Sequence, residues 1–332
     1  MTFRVVRAEV LAIDVPTSVD PGDASESLAT RPGVRVVVEG PDGVLGTADA
    51  APMPGYSRES ASESVDVATE LAEALVGLRP SGLLEDAVRK AFERREPSRL
   101  AVPTAFFAVE SALLHAWSLW ASVAPWTLLG KRPHGARVGA SVLLPSPPDG
   151  PAALRVLERA RASGATRFKV KVDGGTDGAL DDSLGRLVAR LGSDERIRLD
   201  ANGRLDPRAA DRSLSRFVSM RPEYLEEPFP PVAWEAARTS PVPLAADESL
   251  SDPTVRRHLL GRSRPPALEV AIVKPALQGG LVGALRLAEE ARDSGLDVVV
   301  THMFDGPLGA RGAAWVARAL ETPPRASALG AP

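Results

Sequence analysis

Six residues carry most of the chemistry this chain can do: Lys169 and Lys171 in "RFKVKVDGG", Asp200 in "LDANG", Glu226 in "LEEP", Asp247 in "ADES" and Lys274 in "IVKPALQGG". Each sits inside or near the end of a short apolar, strand-like run. Three carboxylates brought to one place repel one another unless a cation neutralises them. With no cysteine in the chain, a hard, all-oxygen donor set points to Mg²⁺ or Mn²⁺. Asp200, Glu226 and Asp247 are therefore the expected metal ligands. Each alone has a plainer reading, Asp200 as a turn or helix-cap aspartate, and Glu227 and Glu248 read as solvated neighbours. Three at a regular spacing, flanked by lysines, are harder to account for in that way.

The lysines are scarce. Only five of the 40 basic residues are lysine, the other 35 being arginine. A guanidinium does not release its proton in a protein, whereas an ammonium can lose its charge when desolvated and then act as a base. A cation on a substrate carboxylate makes the neighbouring α-proton acidic by stabilising the enediolate, and a lysine on one face removes that proton. Lys171 is the expected base. Lys169 and the cation both disfavour its charged form. Lys274 is expected to face the other side of the substrate, as a second acid/base or as a cation over the enolate.

The elements that position these groups show in the pattern. Within "RFKVKV", Phe168, Val170 and Val172 fall on one face of a strand and Lys169 and Lys171 on the other. Strand-like runs recur at "VGASVLL", "RFKVKV", "RIRLDAN", "EYLEEP", "PLAADES", "LEVAIVKP" and "LDVVVTHM", with helical segments between several of them. The markers Lys171, Asp200, Glu226, Asp247, Lys274 and His302 are separated by 29, 26, 21, 27 and 28 residues. That period fits repeated β-α units. At least seven units, and no glycine-rich dinucleotide fingerprint, favour a (β/α) barrel whose site lies at the C-terminal strand ends. The first part is instead α+β: "RVVRAEVLAIDV" and "GVRVVVEGPDGVLGTADAA" alternate like strands around a "GPDG" turn, and a helical pattern with serines and acids at its start follows from Ser57.

Bulk properties exclude other classes. At 332 residues the chain has room for a large core, and a net charge of −3 gives no support to a nucleic-acid surface. "TAFFAVESALLHAWSLWASVAPW" is its most apolar long segment, but it contains Glu110 and His115 and reads as a buried helix rather than a membrane span. Charges through the first residues argue against a signal peptide, so a cytoplasmic location is expected. His115 reads as a packed core residue, His134 and His258 as surface positions, and the tryptophans as core.

The motifs "FKVKV", "LDANG", "LEEP", "ADES" and "IVKPALQGG" resemble the barrel of the muconate lactonizing enzyme branch of the enolase superfamily, whose sites pair a Lys or His base with Mg²⁺. "TRPGVRVVVEGPDGVLGTADAAPMPGYSRES" extends the likeness towards the o-succinylbenzoate synthases of menaquinone biosynthesis. The resemblance implies an α/β fold, a (β/α)7β modified TIM barrel at 133–317 under an N-terminal α+β capping domain at 1–132, joined by the tail from about 318 to 332. It implies dehydration of 2-succinyl-6-hydroxy-2,4-cyclohexadiene-1-carboxylate, a small dicarboxylate, with Lys171 as base and Lys274 against the enediolate. Dipeptide epimerases and N-succinylamino acid racemases share these lysines and ligands. Substrate contacts are expected from Pro54, Gly55 and Tyr56 of the "PMPGYS" loop, from Asn202, and from Thr301 and His302. Two departures stand out: His302 and Met303 where small hydroxyl residues are more usual, and Asp49 in place of a glutamate, read as structural. A histidine base at His302 would belong to the mandelate racemase branch, which pairs it with an aspartate where this chain has Lys274.

Overall fold

The computed structural model describes residues 2–16, 30–136, 138–139, 141–175 and 178–325. Three antiparallel strands open the chain: β1 (Arg7–Pro16), β2 (Thr30–Glu39) and β3 (Leu45–Ala50), in the order β1-β2-β3. Val34, Val36 and Val38 of β2 are fully buried on one face, as period-2 alternation requires. Asp49 faces Arg35 across the β2–β3 ladder and takes two guanidinium hydrogen bonds of 2.7 and 2.8 Å, which gives it a structural partner.

Helices cover that sheet. In α1 (Ala61–Leu75) the Ser60 hydroxyl accepts the Glu63 N–H at 3.2 Å, and the Glu63 carboxylate accepts the Ser60 N–H at 2.7 Å. This reciprocal cap is the start signal visible in "SRESASES". After the short α2 (Leu84–Arg89) comes α3 (Pro103–Ala121), the apolar segment noted above, packed against β2, β3, α1 and a helix of the second unit. At Gly46 a Cβ would meet the Ala112 carbonyl at 2.2 Å and Ala116 N at 2.3 Å, so only glycine lets β3 lie this close to α3. Glu110 is fully buried, and among the described residues no helix is long and apolar enough to cross a membrane. His115 joins elements rather than simply filling space, since its Nδ1 accepts the Thr47 N–H at 3.1 Å and its ring lies 5.9 Å from Trp315.

The second unit is a parallel sheet of seven strands: β4 (Ser141–Leu144), β5 (Arg167–Lys171), β6 (Arg196–Asp200), β7 (Leu225–Glu226), β8 (Leu244–Ala246), β9 (Leu268–Val273) and β10 (Asp297–Val300), adjacent in chain order. Helices α4 (Pro151–Ala162), α5 (Ala179–Val188), α6 (Ala210–Ser215), α7 (Pro253–Leu259), α8 (Gly280–Asp293) and α9 (Gly306–Ala319) alternate with them, and a 3-10 segment, Pro231–Ala237, replaces a helix between β7 and β8. Beyond β10, the Arg325 N–H donates to the Val298 carbonyl at 2.9 Å, so the chain returns to the sheet edge after α9. The expected β-α order and the α+β capping unit are both present.

Strand β5 divides as its alternation predicts. Phe168, Val170 and Val172 are buried among the apolar side chains of the main core. The opposite face looks into the barrel, where a separate apolar cluster of Tyr224, Ala245, Val270, Ile272 and Val299 fills the interior.

Candidate active site

Register sets the site. Lys171 on β5 pairs with Asp200 on β6, and Asp200 pairs with Glu226 on β7, which puts three charged groups at one level across three adjacent strands. Asp247 follows the end of β8 and Lys274 the end of β9. The two lysines of β5 are not an unpartnered pair of ammoniums. Lys169 Nζ lies 2.6 Å from Asp200 Oδ2 and 2.7 Å from Glu226 Oε1, while Lys171 Nζ lies 2.9 Å from Asp200 Oδ2 and 2.5 Å from Asn202 Oδ1. Lys274 Nζ is bonded to Asp247 Oδ2 on the far side.

Burial and charge compete strongly here. Burial alone would raise the Asp200 carboxyl, but the Lys169 and Lys171 ammoniums overcome it and hold that group well below the usual range. Burial would lower Lys169 and Lys274. Asp200, Glu226 and Asp247 outweigh that for Lys169, and Asp247, Glu248 and Glu226 do so for Lys274, so both are raised. Asp247 moves the other way from Asp200: burial and then Glu248 push its carboxyl well up, against the pull of Lys274. Glu227, desolvated beside Glu248, is raised to about 8.

Glu227 is a residue that sequence reasoning missed. It is buried, not solvated, with a left-handed backbone at φ 41. Its Oε2 accepts the Asp247 N–H at 2.8 Å and its Oε1 the Ser249 N–H at 3.2 Å, and the Ser249 hydroxyl also donates to Oε1. Trp234 in turn donates its indole N–H to Ser249 Oγ at 2.7 Å. Glu248 accepts from Asn202 Nδ2 at 2.9 Å, so Asn202 is held between Lys171 and Glu248. The signal for both acids was their place in "LEEP" and "ADES", where the second acid of each pair follows a marker.

The cap reaches the same mouth through Tyr56, whose phenol is pushed up to about 12 by burial and then by Glu248, with Lys274 opposing. Pro54 and Gly55 in the same turn are exposed. Thr301 is buried at the end of β10, its N–H on the Val273 carbonyl at 2.9 Å. His302 folds back on its own loop: Nδ1 accepts the Phe304 N–H at 3.1 Å, with the two rings 5.6 Å apart. Arg31 of β2 ties this loop to the cap, donating to the Met303 carbonyl at 2.8 Å and the Ala51 carbonyl at 3.3 Å.

Among the described residues, no group of three or more His, Cys, Asp and Glu side chains is gathered closely enough to hold a metal ion. The ammoniums of Lys169 and Lys274 stand on the oxygens that would do so. The donor chemistry nevertheless fits a hard divalent cation. Asp247 Oδ1 is buried without a hydrogen-bond partner, an oxygen of the hard kind that such an ion takes.

Residues 152–327 match the family described as Enolase C-terminal domain-like. The o-succinylbenzoate synthase of Thermosynechococcus vestitus is 28% identical over 257 residues, covering 75% of this chain and 70% of that protein. The o-succinylbenzoate synthase of Thermobifida fusca is 35% identical over 175 residues, 51% of this chain and 52% of that one. The solved structure of a dipeptide epimerase from Enterococcus faecalis V583, complexed with Mg and the dipeptide L-Leu-L-Tyr, shares the fold: its TM-score is 0.80 at 20% identity, covering 99% of this chain and 90% of that one. With more than half its length matched to the family and the barrel-end lysines and acids in place, the chain belongs to the Enolase C-terminal domain-like family, within the enolase superfamily.

Proposed function

We propose that the protein is an o-succinylbenzoate synthase, dehydrating 2-succinyl-6-hydroxy-2,4-cyclohexadiene-1-carboxylate to 2-succinylbenzoate, as in menaquinone biosynthesis. The observation that carries it is the opposition of two ammoniums, Lys171 on β5 and Lys274 after β9, across a row of buried carboxylates. The similarity to two o-succinylbenzoate synthases supports it.

Asp200, Glu226 and Asp247 would hold a Mg²⁺ or Mn²⁺ ion, which when bound supplies positive charge to a substrate carboxylate and acidifies the neighbouring C–H. Lys171, with its nitrogen lone pair free, takes that proton. The same ammonium then gives it to the hydroxyl leaving from the next ring carbon, so water departs and the ring becomes aromatic. Lys274 faces the negative charge that develops between the two steps. Asn202 orients Lys171 through its 2.5 Å contact, and Glu248 fixes the Asn202 amide from behind. Tyr56 brings the cap to the mouth and helps to exclude water.

A second reading is favoured by the same opposition of lysines: racemisation or epimerisation of an N-succinylamino acid or dipeptide, with Lys171 and Lys274 as bases on opposite faces. One experiment separates them. The purified Mg²⁺-loaded enzyme is given the cyclohexadiene carboxylate and, separately, N-succinylamino acids and dipeptides in D₂O. Dehydration at a kcat/KM well above Cα exchange is expected; rapid exchange without dehydration would replace the first reading by the second.

A further inference from the structure

We infer that Arg99 and Glu110, both from the cap, are positioning residues for Lys274. Arg99 precedes α3 and Glu110 lies on it, and both are buried. Arg99 Nη1 donates to Glu110 Oε1 at 2.6 Å and to the Gly279 carbonyl at 2.7 Å. Glu110 Oε2 accepts the N–H of Val282 at 3.0 Å. One carboxylate and one guanidinium from the cap therefore hold the first turn of α8 at two points, with a buried charge pair between them.

That turn is continuous with the loop that carries Lys274. The Lys274 N–H donates to Gln278 Oε1 at 2.7 Å, Gln278 Nε2 donates to the Ile272 carbonyl at 3.1 Å, and the N–H groups of Leu277 and Gln278 return to the Lys274 carbonyl at 2.9 and 3.0 Å. Nothing in this loop is slack. Gly279 and Gly280 have φ of 84° and 81°, a Cβ on Gly279 would meet Arg99 Cγ at 2.6 Å, and one on Gly280 would meet Glu110 Oε2 at 2.6 Å. The pair of glycines in "LQGG" lets the cap's ion pair approach the backbone five residues from the ammonium. Displacement of a catalytic group by about 1 Å costs on the order of a hundredfold in rate. A tether this close to Lys274 thus acts on turnover more than on substrate capture.

The inference rests on the reading that Lys274 serves the reaction, and its test is separable from that reading. The full-length Mg²⁺-loaded enzyme is compared with the double variant Arg99→Met/Glu110→Gln, which removes both charges together, while Glu96, which also pairs with Arg99 at 2.9 Å, keeps Arg286 at 2.7 Å. Expected are a kcat lower by about tenfold to a hundredfold with KM changed by less than about threefold, and amide exchange faster in Lys274–Val282 but not in β5–β7. A kcat within about twofold of wild type, or unchanged exchange in that segment, overturns it. If the wild type turns over none of the proposed substrates, the functional reading fails and the exchange arm alone decides the tether. Should the double variant not fold, exchange in the wild type decides: the Lys274 and Val282 amides are expected to be as slow as the interior of α3, and exchange about a hundredfold faster rules the tether out.

Discussion

The Glu227 carboxylate accepts the backbone N–H of Asp247 at 2.8 Å and thereby fixes the residue that follows β8. Its other oxygen takes the N–H and the hydroxyl of Ser249. Asp247 itself has an irregular backbone, φ −124 and ψ −96, which this acceptor holds in place. Truncation leaves two buried N–H groups without a partner, each worth about 1–3 kcal/mol. Glu227→Ala is therefore expected to lower stability by about 2–5 kcal/mol in urea unfolding, and Glu227→Gln, which keeps one acceptor oxygen but turns a donor towards the other backbone N–H, by about 1–3 kcal/mol. A loss below about 1 kcal/mol in Glu227→Ala would show that the two N–H groups do not depend on this side chain.

Asp200, Glu226 and Asp247 give a direct test of the divalent site. A ligand that binds only the folded state at a hundred times its Kd stabilises by about 2.7 kcal/mol, so Mg²⁺ is expected to raise the melting temperature and EDTA to return it. Asp200→Asn, Glu226→Gln and Asp247→Asn should each remove most of that increment. Without metal, Asp247→Asn is expected to lower stability, because it takes from the buried Lys274 ammonium the carboxylate it is paired with. A Mg²⁺ increment that survives all three substitutions would place the ion elsewhere.

Lys171→Arg separates proton transfer from charge. The guanidinium keeps the positive charge beside Asp200, which retains Lys169 at 2.6 Å, but it cannot act as a base. The variant is expected to melt within a few degrees of wild type and to keep its response to Mg²⁺. Its turnover should fall by about 10²–10⁴, the usual contribution of a positioned acid/base. Turnover within about tenfold of wild type would remove Lys171 from the base role.

The barrel and its charged rim were legible because a β-α repeat leaves a period in the sequence, and Asp200, Glu226 and Asp247 each close an apolar run. The use of Lys169 was not. Read along β5 it looks like a neighbour that tunes Lys171, whereas the register across β6 and β7 makes it the ammonium between Asp200 and Glu226. Glu227 was misread for a local reason: β7 is two residues long, and the turn at φ 41 sends the next side chain inward rather than to solvent. Contacts such as Arg99 with Gly279, 180 residues apart, leave no periodic trace at all. His302 stood out in sequence as unusual, and its Nδ1 proves to be occupied by the Phe304 N–H.

Glu223 supplies a pH dependence outside the charged rim. Its carboxylate takes Arg198 Nε at 2.7 Å and lies 3.3 Å from Arg167 Nε, with the Arg198 side chain almost fully buried. Burial would raise the Glu223 carboxyl, but Arg198 and then Arg167 pull it below its ordinary value. A carboxyl depressed in the folded state contributes stability that is present above its unfolded pKa, about 4.3, and is lost as pH falls through the folded value. Glu223→Gln should then cost about 1.5–3 kcal/mol at pH 7, the worth of a hydrogen bond to a charged group. The gap to wild type should narrow steadily below about pH 4.5, since the variant has no proton to take up there. Urea midpoints of both proteins at several pH values between 7 and 3.5 measure it, and a gap that stays flat or widens towards acid would show that the carboxylate's charge contributes nothing at this position.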